Sequence, residues 1–282
     1  MCPRLLLALL TSPLVRQSHV SDLCLQTFIL RQSVGYASFM GKSFWALGSL
    51  YRQHRELDQA IKFWQAAVQS FTQSQDFIYL GVSLRQLGEL YMEQRQYSRS
   101  QACSQAAVAV LEPCNVHHEH GHAVYQLGLA CLKSGQLSRA EAELERAMQL
   151  YQMQQNDLGE NRALISLGKL YARRHEFMFA LACYESALDS LLASYQSCER
   201  TEYLLIEVLC EISILCRETG HFDWANVPYQ DVLSHFIARS RRAELAQACR
   251  ELGRMYEEDQ QYRLALECYY RALQSMPLPL SI

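Results

Sequence analysis

The residues best equipped for chemistry lie in the run Cys114-Asn115-Val116-His117-His118-Glu119-His120-Gly121-His122. Within it, His118-Glu119-x-x-His122 has the spacing that, on a helix, offers two imidazoles to zinc from one face with the glutamate as general base of a hydrolase. Such a centre needs a third protein ligand, and none is evident; Glu141 and Glu143 fall in the next helical segment. Gly121 also interrupts the motif. A solvated, histidine-rich junction is the simpler expectation, with a metal-dependent hydrolase at His118, Glu119 and His122 as a remote alternative. Gly41-Lys42-Ser43 ends like a phosphate loop, but Gly35 leaves five intervening residues instead of four and no strand precedes it. No catalytic residue, metal ligand set or cofactor follows, and a protein without enzymatic activity is expected.

Composition narrows the function classes. The 282 residues carry a net charge of −3, with 12 Gly and 6 Pro, and half of them are hydrophobic. Scarce breakers and abundant Gln, Leu, Ala, Glu and Arg favour long helices. A balanced charge leaves no electrostatic footprint for nucleic acid, and the short run Arg239, Arg241, Arg242 faces Glu244 at a solvated helix start. No window approaches the length of a membrane span; the nearest, 204–216, is broken by Glu207 and Glu211. The apolar run after Arg4, residues 5–10, is short for a signal core, so a targeting role for the first 16 residues is a minor reading. The 11 cysteines are odd in number and irregular in spacing, which suits free thiols in a reducing, cytoplasmic setting.

The elements that would carry these residues are set by a repeat. Leu-Gly recurs at 47–48, 87–88, 127–128 and 167–168, each 40 residues after the last, and again at 252–253, with Ile212-Ser213 filling the gap. Four residues after each Leu (or Ile212) stands Tyr51, Tyr91, Cys131, Tyr171, Cys216 or Tyr256. Thirteen after stands Ala60, Ser100, Ala140, Ala180, Ala225 or Ala265; seventeen after, Trp64, Ser104, Leu144, Tyr184, Tyr229 or Tyr269; twenty after, Ala67, Ala107, Ala147, Ala187, Val232 or Ala272. Offsets of three and four keep each set on one helical face. Polar breakers such as Gln53-His54-Arg55 and Ser134-Gly135 separate the two helices of a unit. The small residue after Leu admits a partner helix, and the aromatic seventeen residues on fills the wedge.

These registers resemble the tetratricopeptide repeat family. Tyr51, Tyr91, Tyr171 and Tyr256 match its Tyr after Leu-Gly, and Pro277 matches its terminal Pro. The period departs from the family's usual ~34 residues, so the helices should be elongated, with a five-residue excess near 194–200 forming a longer loop. The resemblance implies an all-α solenoid of stacked antiparallel helix hairpins in a right-handed superhelix. The expected division is a degenerate helix pair at 1–40, six repeats over 41–277 (about 41–80, 81–120, 121–160, 161–205, 206–245 and 246–277) and a tail at 278–282.

In this family the first helix of each unit lines a concave surface that holds peptides. Mapped here, that groove is expected to include Trp45, Arg52, Arg85, Glu89, Tyr125, Leu129, Leu132, Ile165, Lys169, Arg217, Arg250 and Arg254. Its apolar part, Tyr125, Leu129, Leu132 and Ile165 flanked by Arg, would suit an amphipathic or acidic-hydrophobic segment, or would pack inside the protein. The Asn residues by which some members clamp a C-terminal carboxylate or grip a peptide are absent from the matching positions. The expected function is a scaffold or adaptor for other proteins. Self-assembly is the alternative, since Leu264, Leu266, Tyr269 and Leu273 of the last repeat would be partly uncovered, or the chain is a fragment of something larger.

Overall fold

The computed structural model describes residues 37–193, 199–238 and 241–275. The expected degenerate pair before residue 37, most of the long loop at 194–198, Arg239 and the tail with Pro277 lie outside the described residues. Twelve α-helices and no strand occur among those described. They are α1 (Ala37–Gln53), α2 (Leu57–Ser74), α3 (Phe77–Glu93), α4 (Tyr97–Leu111), α5 (His117–Lys133), α6 (Leu137–Met153), α7 (Asp157–Arg173), α8 (Phe177–Ala193), α9 (Glu199–Thr219), α10 (Asn226–Ala238), α11 (Arg242–Glu258) and α12 (Tyr262–Ser275). Short 3-10 turns precede α5 and α10. Most helices are 15–18 residues long, which accounts for the lengthened period. The chain divides into two compact units, 1–126 and 127–282.

In the first unit the Leu-Gly register marks where the helices of a hairpin cross. A Cβ built on Gly48 would stand 2.5 Å from Trp64 Cδ1, and one on Gly88 would stand 2.8 Å from Ser104 Oγ. Trp64 is fully buried and packs with Ala60, Leu87, Leu90 and Tyr91, so α2 is wedged between α1 and α3. Two turns earlier the pattern repeats: Gly41 meets Phe71 and Gly81 meets Leu111, each thirty residues on.

The second unit uses the same device. Gly128 abuts Leu144, Gly168 abuts Tyr184 and Gly253 abuts Tyr269. In the register without glycine, Ser213 and Tyr229 share a buried hydroxyl–hydroxyl hydrogen bond of 2.5 Å. Six registers therefore place the same two positions, sixteen residues apart, at a crossing. Around them Leu181, Leu188, Leu205, Leu209, Val232 and Phe236 belong to one continuous core.

The turns are equally regular. Arg55, Arg95, Gly135, His175, Gly220 and Gln260 each lie eight residues after the register Leu or Ile, and each has a left-handed φ, between 59° and 82°. Beside five of them the next amide reaches back five residues, as in Glu56 N–H to Tyr51 O (2.9 Å) and Gln136 N–H to Cys131 O (2.9 Å). That closes the orphan carbonyls at a helix C-terminus.

Candidate protein-binding face

The first helices of the units, α1, α3, α5, α7, α9 and α11, carry the residues expected in the groove. In the first unit they form a charged ladder. Arg52 on α1 donates through Nη1 to Glu89 Oε2 (2.7 Å) and Gln86 Oε1 (2.8 Å), and through Nη2 to Glu93 Oε1 (2.8 Å) on α3. Arg85 binds Glu89 Oε1 at 2.5 Å one turn along α3 and donates through Nε to Glu119 Oε2 at 3.1 Å on α5. Burial alone would lower the Arg52 guanidinium, but its bonds to Glu89 and Glu93 prevail and raise it further. Trp45 is half-buried, and its carbonyl accepts the Trp64 indole N–H at 3.1 Å. Nearby, the exposed Lys42 ammonium sits 4.7 Å from the Tyr79 ring centre.

A second ladder occupies the other unit. Lys169 on α7 bonds Glu207 (2.6 Å) and Glu211 (3.2 Å) on α9. Here too burial works to lower the ammonium, and the two carboxylates overcome it to raise the pKa. Arg217 on α9 pairs with Glu258 on α11 at 3.3 Å. Arg254 pairs with Glu251 at 3.1 Å within α11, and Arg250 is exposed.

The apolar members of the expected groove are placed differently. Tyr125, Leu132 and Ile165 are buried, and Leu129 is half-buried. Ile165 belongs to the core of the second unit, and the Leu132 carbonyl accepts Arg173 Nη1 at 2.8 Å. At the expected groove positions the exposed side chains are therefore mainly charged, while Phe77, Ile78, Tyr203 and Ile214 are exposed elsewhere on these helices. The acidic partners Glu93, Glu119, Glu211 and Glu258 were not among the groove residues expected from sequence. Their signal was available: each lies 34 to 42 residues after a cation, one repeat on.

The histidine-rich run opens α5, with Glu119 engaged by Arg85. Among the described residues no cluster of three or more His, Cys, Asp or Glu side chains is arranged to hold a metal ion. The three-ligand centre that a zinc hydrolase needs is therefore not formed by them.

Comparison with known proteins agrees with this architecture. The family described as Tetratricopeptide repeat matches residues 121–152. The apo form of RapI shares the fold with a TM-score of 0.63 at 12% identity, over 91% of this chain and 89% of that one. Aspartyl phosphate phosphatase F from Bacillus subtilis matches with a TM-score of 0.61 at 15% identity, over 97% and 80% of the two chains. The nearly identical TPR-like repeats of a putative kinesin light chain from Podosopora anserina match at 0.54 and 16% identity, over 68% and 93%. No curated protein matches the chain in sequence. In fold, the chain is a helical-repeat protein of the tetratricopeptide type. No helix among the described residues is long and apolar enough to cross a membrane.

Proposed function

We propose that this chain is a non-enzymatic scaffold that holds a peptide or helical segment of another protein on its first-helix faces. The observation that carries the reading is the pair of charged ladders on those helices. Arg52, Arg85 and Lys169 each bind carboxylates of the next first helix instead of serving a core. Such half-exposed pairs add little to stability, since surface ion pairs contribute ~0–1 kcal/mol. They give a surface of defined charge order, which fixes register and partner choice more than affinity. One similar fold is a Rap protein solved in complex with competence and sporulation factor, and a ligand-holding role is carried over to this chain on that likeness. The six-repeat division over 41–277 and a cytoplasmic setting belong to the same proposal.

The test is affinity capture followed by identification of the bound proteins. Wild type is compared with Arg52→Ala/Arg85→Ala and with Lys169→Ala/Arg254→Ala, with helicity verified by circular dichroism. At least one specific partner is expected to be lost from one variant. If both variants retain every partner at wild-type level, the ladders are not the binding surface.

A second reading, self-assembly, is favoured by α12. Tyr262, Leu266, Tyr270 and Leu273 are 62–71% exposed and recur at helical spacing along one stripe. Tyr269, expected to be uncovered with them, is half-buried and donates its hydroxyl to Glu257 at 2.8 Å. Sedimentation across a concentration series distinguishes the readings. Association abolished by Leu266→Glu/Leu273→Glu supports self-assembly, and a wild type that stays monomeric rejects it.

A further inference from the structure

The first two turns of α5 hold a pair of side chains that the scaffold reading does not use. His118 and His122 lie one turn apart on the same helical face. Their ring centres are 4.5 Å apart and their planes are inclined at 85°. A metal bonded to an imidazole nitrogen at ~2.0–2.1 Å sits about 3.2 Å from that ring's centre, so two rings bound at roughly 90–109° to each other have centres about 4.5–5.2 Å apart. The observed separation falls at the short end of that window without any movement of the helix. His118 is 65% exposed, so an ion can reach it from solvent.

We propose that His118 and His122 form a two-imidazole site for a divalent transition-metal ion of the copper, nickel or zinc class, its remaining positions filled by water. Imidazole selects these ions over magnesium or calcium, which take oxygen ligands. Glu119 lies beside the pair. Its Oε1 lies 3.8 Å from His118 Nδ1, while its Oε2 accepts from Arg85. At that distance the carboxylate makes no hydrogen bond to the ring, and its contribution to a bound cation is its negative charge. The carboxylate also offsets the unfavourable placement of a cation at a helix N-terminus. With two protein ligands and Glu119 already engaged by Arg85, the site binds an ion but does not assemble the base and third ligand of a hydrolase.

The test is calorimetric titration of the full chain with copper(II) and with zinc(II), with magnesium(II) as control and the visible absorption of bound copper as a second readout. One ion per chain is expected for copper, with nitrogen-ligand absorption and no binding of magnesium. His118→Ala and His122→Ala should each weaken binding by about tenfold or more, because one imidazole is half of the protein's ligand set. His117→Ala should stay within about twofold of wild type, because a neighbour one position along points to a different face. His118 is exposed in the first helical turn, so its variant alone decides the matter if His122→Ala fails to fold. Binding by His118→Ala equal to wild type, or none by wild type, overturns the proposal.

Discussion

Adding one methyl group at two equivalent glycines probes the helix crossings most sharply. Gly48→Ala and Gly88→Ala occupy the same register in α1 and α3, and both gain the intrinsic helix preference of Ala over Gly, ~0.8–1.0 kcal/mol. They differ in what the methyl meets. At Gly48 it falls 2.5, 2.6 and 2.9 Å from three atoms of the Trp64 indole. That ring is 1% exposed and tethered through its N–H to the Trp45 carbonyl, so it cannot swing away. Overpacking a fixed core group costs roughly 1–3 kcal/mol, and with the helix gain subtracted the net expectation is a loss of up to about 2 kcal/mol. At Gly88 the close neighbour is the Ser104 hydroxyl at 2.8 Å, with the next atoms at 3.5 and 3.7 Å. That hydroxyl makes no hydrogen bond and can rotate without losing one. Gly88→Ala should then be neutral or stabilising by up to about 1 kcal/mol. Equilibrium urea unfolding of the full chain, followed by circular dichroism, measures both. In Gly48→Ala/Trp64→Leu the two losses should sum to less than their separate values, by about 1 kcal/mol or more. If Gly48→Ala proves as stable as Gly88→Ala, the shared crossing geometry is refuted.

Other expectations follow from single features. The Glu202 carboxylate is 2% exposed and bound by both Nε and Nη2 of Arg241. Arg241→Ala should cost about 3 kcal/mol, the low end for breaking a buried pair because Arg241 itself is partly wet, and Glu202→Gln in that background should restore part of the loss in the same urea assay. Arg95 holds φ at 59° in a turn where Gly135 serves one repeat on; Arg95→Gly should raise the unfolding midpoint by the equivalent of roughly 0.5–1 kcal/mol, and a lower midpoint would count against strain at that turn. Burial pushes the Cys183, Cys216 and Cys268 thiols up to about 11. Their neutral forms therefore favour the folded state below the ordinary thiol value, and that contribution is lost as pH rises towards 11. At pH 8 these three should be alkylated at least about tenfold more slowly in the native chain than in urea, read by mass spectrometry.

Much of the fold was legible because its signal is local and repeated. The residue after Leu is small wherever α2, α4, α6, α8 or α12 must cross closely, and the residue sixteen positions later fills the gap. Even the exception could be read: Ser213 stands where glycine was due, and Tyr229 supplies the hydroxyl that satisfies it. The breakers at 53–55, 94–96 and 134–135 marked the turns, though not that one residue in each takes a left-handed conformation whether or not it is glycine. The candidate face was legible only in part. Positions Arg52, Arg85, Glu89 and Lys169 followed from the register, but their ion pairs did not.

By itself, then, the order of residues determined the two-helix unit, its lengthened period and the pairing of small with large at each crossing, because those depend on helical geometry within one hairpin. Only the tertiary structure decided which side chains of the first helices stay exposed. Tyr125 and Ile165 share the offset of Trp45, and Leu132 that of Arg52, yet all three are buried. Exposure depends on how adjacent hairpins close over a position, and a helical period carries no information about that closure.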